Sequence, residues 1–327
     1  MTREHHRIVV LDDHMGVARE SADWSPVTGR EDVAEVVFRR EHLPEQELVR
    51  LAQGSDVVVA MRERSALSRR VLEQLSQLRL LVTTGMVNAA IDLAAARELG
   101  ITVCGTGGRG PDPAELAWAL TMDLVRGVTA ADRDLRAGRW QPGRPGRRLA
   151  GLVVGVAGLG VVGAQVAGYA QAFGCHVLGW SQHLTPERAA EVGATAVGKD
   201  ELFERSDVVT LHLKLSERTR AVVAAPELGL LGADGFLVNT ARAGLVVEDD
   251  LLAALGSGSI AGAALDVFGQ EPLPPGHALL AEPRALLTPH LGYVSRESFS
   301  AFYGQVVEDV VAWLDGRPVR VLAAPGA

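Results

Sequence analysis

The stretch LVVGVAGLGVVGAQVAGYA, residues 152–170, carries glycines at 158, 160 and 163 in the spacing G-x-G-x-x-G. An apolar, strand-like run precedes it and a helical pattern follows, and that context gives the spacing its chemistry. Gly158 permits a tight turn, Gly160 lets the backbone approach a pyrophosphate, and Gly163 lets the helix pack closely on the strand. The helix N-terminus then faces the phosphates of a dinucleotide. Polar groups follow farther along. Arg242 stands just past the buried run in FLVNTARAGL, Asp266 ends IAGAALD with Glu271 five residues on, and His290 follows LLTP. In an open parallel sheet the carboxyl ends of the strands border the ligand crevice. Arg, Glu and His at three such ends point toward one site. Singly, each reads as a surface arginine, a turn cap and a satisfied loop histidine.

Those residues need a sheet to carry them. Short β-branched runs at 7–12, 34–38, 56–61, 78–83 and 101–105 read as buried strands, with a helix at 43–54. Strand then helix, repeated, implies a parallel sheet covered on both faces. A long helix is expected over 111–138, ending at Gly138, and an arginine- and proline-rich loop at 139–151 follows. This loop has no aromatic series, so a solvated or subunit-contacting role fits it better than nucleic-acid binding. A second series of strands occupies 152–157, 176–180, 207–211, 235–239, 261–266 and 285–288. Helices are expected at 161–173, 186–193, 219–231 and 247–257, and a last one at 295–316 is capped by Ser295 and stopped by Gly316.

Composition narrows the function classes. The 327 residues are 47% hydrophobic and 22% charged, as in a folded protein of one large or two ordinary domains. With 32 basic against 40 acidic residues the net charge is −8, which argues against a nucleic-acid partner. The only lysines are Lys199 and Lys214, and neither has a motif around it. Cys104 and Cys175 have neither zinc nor CxxC spacing, so buried thiols and no metal are expected. The run Leu149–Ala164 is too short to span a bilayer, and the first residues lack a leader pattern. A cytoplasmic location without a membrane partner is the expectation.

The chain resembles the NAD(P)-dependent D-isomer-specific 2-hydroxyacid dehydrogenases, the group with phosphoglycerate dehydrogenase and hydroxypyruvate/glyoxylate reductases. GVAGLGVVG, DVVTLHLKLSERT, FLVNTARAGLVVEDDLLAAL, GAALDVFGQEPLP and LLTPHLGYV fall in the family's order, as do LLVTTGMVNAAIDLAAARELGITVCGT and PAELAWAL. The resemblance implies an α/β fold of two doubly wound parallel-sheet domains. A Rossmann cofactor domain (106–292) would be inserted into a flavodoxin-like substrate domain (1–105 plus 293–327), with the site in a cleft between them. His290 would be the general acid/base, oriented through its far nitrogen by Glu271, which favours the imidazolium. Arg242 would bind the 2-oxo acid carboxylate and polarise the carbonyl.

The family's cofactor set would include Gly158, Leu159, Gly160, Val161, Val162, Gly163, Ser181, Gln182, His183, His212, Thr240, Ala241, Arg242, Asp266, Gly292 and Tyr293. Asp266 matches the position that contacts the nicotinamide end. Backbone N–H groups of Gly85, Met86 or Val87 would meet the substrate carboxylate, with the Asn88 side chain as a helper. Arg62 and Arg64 either face an acidic substrate or are solvated loop charges. The 111–138 helix and the loop after it would form a twofold homodimer contact.

Departures from the family pattern fall outside the Arg–Glu–His set. Lys214 stands where proline is usual in H-x-P, Ala243 where glycine is common, and Tyr293 where a small residue follows PHLG. Tyr293 could narrow the pocket or contact the cofactor. Ser181 occupies the place of the ribose-binding aspartate of NAD users, 18 residues after Gly163. It brings no repulsion against a 2′-phosphate, which gives NAD or NADP with a slight lean to NADP. Neither Gln182 nor His183 supplies a permanent cation, and Arg188 is a distant candidate. Glu271 argues against the formate dehydrogenase branch, which pairs its histidine with glutamine. An NAD(H)-sensing corepressor on the same fold is the alternative from another class.

Overall fold

The computed structural model describes residues 5–108, 110–141, 143 and 145–325; Arg109 and, within the arginine-rich loop, Pro142 and Arg144 lie outside the described residues. The chain divides into two compact units. One takes the chain up to Gly110 and resumes at Ser295, and the other runs Pro111–Val294.

In the first unit, β1 (His6–Val10), β2 (Val33–Phe38), β3 (Val57–Ala60), β4 (Leu80–Thr83) and β5 (Thr102–Gly105) pair in parallel in the order 2-1-3-4-5. This is the flavodoxin-like order, reversing between β1 and β3. Their central residues are apolar on both faces because helices cover both sides: Val9, Val57, Val58, Leu80 and Leu81 are wholly buried. Each such side chain contributes about 1.5–3 kcal/mol by leaving water. The helix Arg296–Leu314 returns to this unit. Ser295 Oγ accepts the Ser298 N–H at 3.0 Å, and the helix buries Phe299, Phe302, Tyr303, Val306 and Val310. A late strand, Val321–Ala323, adds antiparallel to β5.

The second unit is built from β6 (Val153–Ala157), β7 (His176–Trp180), β8 (Thr195–Ala196), β9 (Val208–Leu211), β10 (Phe236–Asn239), β11 (Gly262–Leu265) and β12 (Ala285–Leu287). The late strand of the first unit is β13. The seven parallel strands run 12-11-10-9-6-7-8, the Rossmann order, with its reversal between β6 and β9.

Local structure departs from expectation at several points. The helix expected over 111–138 is two helices, Asp112–Arg126 and Val128–Arg136, because Gly127 turns left-handed (φ 69°) between them. The helix expected over 219–231 spans only Ala225–Leu231. Ahead of it, the Thr219 hydroxyl donates to Lys214 O at 2.7 Å and receives the Ser216 N–H at 2.8 Å, holding a turn instead. The short strands β8 and β13 carry too few residues for a period to show. Cys104 and Cys175 are both buried, and burial pushes the Cys104 thiol up to about 12. Among the described residues no helix is long and apolar enough to cross a membrane.

Candidate active site

The carboxyl end of β6 leads into the glycine turn. Gly158 sits at φ 100°, and a Cβ there would lie 2.8 Å from the His212 carbonyl. A Cβ on Gly163 would lie 1.9 Å from the Gly158 carbonyl oxygen, so the helix Val161–Ala172 can meet the turn only without a side chain. Gly160 differs: a Cβ there would touch nothing within 4 Å, leaving open space beside the backbone. The first helical bond is Ala164 N–H to Gly160 O, so the N–H groups of Val161, Val162 and Gly163 have no partner inside the helix. Val161 is 66% exposed at that end. An open cradle of backbone donors at the strand-order reversal fits a dinucleotide's pyrophosphate.

Two neighbouring strand ends flank the turn. Beyond β9, His212 Nε2 pairs with Thr210 Oγ1 at 2.9 Å, and burial pushes the imidazole down to about 4, leaving it neutral at pH 7. At the end of β7, the Trp180 carbonyl accepts the Gly158 N–H at 2.7 Å. Ser181 follows, half-buried, and its carbonyl accepts the Leu184 N–H, closing a turn that leaves Gln182 and His183 exposed.

Beyond β10, the buried Asn239 shapes the next loop. Its Oδ1 accepts the Ala241 N–H at 3.1 Å and its Nδ2 donates to Arg242 O at 3.0 Å, holding Thr240–Arg242 in a tight turn. Arg242 is half-buried, and its Nη1 donates to Ala241 O. Beyond β11, Asp266 is wholly buried. Its Oδ1 accepts the Thr288 hydroxyl (2.6 Å) and the Leu291 N–H (2.7 Å), and its Oδ2 the Gly292 N–H (2.8 Å). These bonds straddle His290, which sits left-handed at φ 54°.

His290 Nδ1 lies 2.5 Å from Glu271 Oε2, while Glu271 Oε1 accepts the Phe268 N–H at 2.8 Å. Burial alone would raise the Glu271 pKa. The bond and charge of His290, the Phe268 N–H and the Arg242 charge outweigh it and hold the carboxyl below its usual range. For Asp266, burial wins over its hydrogen bonds and the pKa is raised. Arg242, Glu271, His290, Asp266, Gly292 and Tyr293 thus gather on the loops that follow β10, β11 and β12. The set offers an anion-binding cation and an imidazole whose tautomer a carboxylate fixes.

The first unit holds the other candidates. Arg62, left-handed at φ 50°, donates its N–H to Thr84 Oγ1, and its Nη1 lies where a Gly85 Cβ would be. The Gly85 N–H is already bonded to Thr106 Oγ1 at 2.9 Å, so it is not on offer to a substrate. Both Nδ2 hydrogens of Asn88 are engaged as well, by Arg62 O (2.6 Å) and Thr83 Oγ1 (2.8 Å); the residue ties the loop. Met86 and Val87, 43% and 65% exposed, remain accessible. Arg64 Nη1 donates to Asp12 O at 2.7 Å.

Residues 118–292 match the family described as D-isomer specific 2-hydroxyacid dehydrogenase, NAD binding domain. The glyoxylate reductase of Aeropyrum pernix is 34% identical over 256 residues, covering 76% of each chain. The chain belongs to the D-isomer specific 2-hydroxyacid dehydrogenases. The D-3-phosphoglycerate dehydrogenase of Methanocaldococcus jannaschii is also 34% identical, over 84% of this chain and 53% of that protein. The chain of this family member spans about half the length of the phosphoglycerate dehydrogenases it matches. The crystal structure of a phosphoglycerate oxidoreductase from Vibrio cholerae O395 superposes with a TM-score of 0.88 at 32% identity, covering 95% of this chain and 99% of that one.

Sequence reasoning missed several groups in this family member. Asn239 was visible only as the polar end of an apolar strand. Thr288 and Asp12 act through partners 22 and 53 residues away, at Asp266 and Ser65, and such long pairings leave no local signal; Thr210, two residues before His212, reads only as part of a buried strand.

Proposed function

We propose that the chain is a D-2-hydroxyacid dehydrogenase acting on a small 2-oxo acid, with NADPH or NADH supplying the hydride to the carbonyl carbon. The reading is supported above all by the 2.5 Å pair of His290 Nδ1 and Glu271 Oε2 beside Arg242. Arg242 binds the substrate carboxylate as a permanent planar cation and polarises the adjacent carbonyl. Glu271 holds the proton on Nδ1, so Nε2 is the nitrogen that delivers a proton to the carbonyl oxygen and takes it back in oxidation. Asp266 keeps the His290 loop in place. Val161, Val162 and Gly163 hold the pyrophosphate by their N–H groups, with His212 neutral beside them. Ser181 neither repels nor neutralises a 2′-phosphate, which supports use of both cofactors with a lean to NADPH.

The same proposal includes a homodimer. The helix Val128–Arg136 has no buried residue and exposes Val128 and Leu135, beside a groove lined by Trp118, Met122 and Tyr169. An apolar face of this kind is suited to a second copy.

The test is oxidation of NADPH and NADH by purified protein with glyoxylate, hydroxypyruvate and longer 2-oxo acids. Turnover of at least one acid is expected. Absence of turnover across the panel, with tight cofactor binding intact, would sink the proposal.

A further inference from the structure

The loop that carries His290 curls back on itself. The Val294 N–H donates to Leu291 O at 2.8 Å, and the turn brings Tyr293 beside the histidine it follows by three residues. The two rings meet edge to face, with centroids 5.5 Å apart and planes at 66°. Tyr293 is 9% exposed, whereas the His290 side chain keeps 24%. The imidazole is therefore flanked by Glu271 at Nδ1 and by the Tyr293 ring. Among the described residues, no hydrogen bond engages its Nε2.

One hydrogen bond fixes one atom of a ring. With Nδ1 held by Glu271, the imidazole can still pivot about that nitrogen through small coupled rotations at Cα–Cβ and Cβ–Cγ, which displaces Nε2 on the other side of the ring. A second wall against the ring removes that freedom. We propose that Tyr293 is a positioning residue for His290, its aromatic ring fixing the imidazole plane so that Nε2 keeps one aim. The inference rests on the proposed proton-transfer role of His290. It makes the ring of Tyr293, rather than its hydroxyl, the working part.

Tyr293→Phe and Tyr293→Leu separate the alternatives in the full-length protein, assayed with hydroxypyruvate and NADPH. A misplaced reacting group costs up to about 100-fold, so Tyr293→Leu should lower kcat by roughly 10–100-fold. Its KM values should move less than about threefold, and Tyr293→Phe should restore kcat to near wild type, as expected of an effect on geometry alone. The ¹H–¹⁵N signal of His290 Nδ1–H should be sharp in wild type and Tyr293→Phe and broadened in Tyr293→Leu; Tyr293→Met replaces the leucine variant if that one does not fold. A Phe variant as impaired as the Leu variant would overturn the proposal, since the hydroxyl would then act directly. So would a fall in kcat with an unaltered Nδ1–H signal, or wild-type kcat in the Leu variant. If wild-type protein reduces no 2-oxo acid, the reaction proposed above fails instead. The Nδ1–H signal then decides alone: broadening in Tyr293→Leu supports the positioning role, and a sharp signal overturns it.

Discussion

Past β1 in the first unit, Asp12 Oδ1 lies 3.1 Å from Nδ1 of His42, past β2; past β11 in the second, Glu271 Oε2 lies 2.5 Å from Nδ1 of His290, past β12. Both parallel sheets thus carry a carboxylate–histidine pair beyond their carboxyl ends, but the pairs are built in opposite senses. In the first, the acid is the left-handed, buried residue (φ 55°), and it also accepts the Ser65 hydroxyl while its carbonyl takes Arg64. Asp12 is thereby a tie among the loops after β1, β2 and β3. In the second, the histidine is the left-handed residue, and the tying of loops falls to a separate carboxylate, Asp266. Glu271 is then left to serve the imidazole under the charge of Arg242. A carboxylate that must hold the fold has little freedom for proton chemistry. Dividing the two tasks between Asp266 and Glu271 separates the candidate catalytic pair from the structural one.

The sharpest way to break this contrast is to remove each histidine. His290→Ala should lower kcat by about 10²–10⁴-fold, the usual worth of a positioned acid/base, with cofactor binding kept. His42→Ala should leave kcat near wild type. Equal losses, read by steady-state kinetics and cofactor titration, would erase the distinction.

Acid–base titration of stability should also divide the units. In the first, Asp309 is wholly buried on the helix Arg296–Leu314. Its Oδ1 accepts Arg320 Nε at 3.0 Å, its Oδ2 has no hydrogen-bond partner among the described residues, and burial outweighs the arginine to push its pKa up to about 7. The folded carboxyl keeps its proton up to about 7, whereas an unfolded aspartate releases it near 3.8. Stability therefore declines as pH rises between those values. Glu271 has the opposite sign: its pKa is lowered from 4.5, so its contribution is present above that pH and is lost as pH falls through the folded value. Urea midpoints at pH 5 and pH 8 should differ less in Asp309→Asn than in wild type. An unchanged difference would remove Asp309 as its source.

The smallest expected effect lies at the cofactor's far end. Ser181→Asp should shift the kcat/KM ratio toward NADH by roughly tenfold, about 1.4 kcal/mol, through repulsion of the 2′-phosphate. A ratio that does not move would take Ser181 out of cofactor choice.

Much of this was legible because it is local. Runs such as Val57–Ala60 read as strands since both faces are buried, and the three glycines read as a turn since their spacing is itself the geometry. Arg242, Glu271 and His290 were found because they follow such strands. Gly127 was hidden inside a strongly periodic stretch whose apolar residues continue on either side of it. The conversion of Asn88 from a substrate helper to a loop tie depends on Arg62 and Thr83, and folding alone brings Arg62 to it. The same holds for Asp266, whose partners come from residues 288–292.

One feature of the topology bears on how the chain is made. The contiguous unit Pro111–Val294 can fold as soon as it leaves the ribosome, since its whole sheet arrives in one piece. The unit that begins first in sequence cannot finish first. Its strands β1–β5 emerge early, while the helix Arg296–Leu314 and β13 arrive only after the other unit has been synthesised. Throughout that interval the apolar surface of β4 lacks its helix and the edge of β5 lacks its partner strand. The nascent N-terminal half is therefore the segment most in need of shielding during translation.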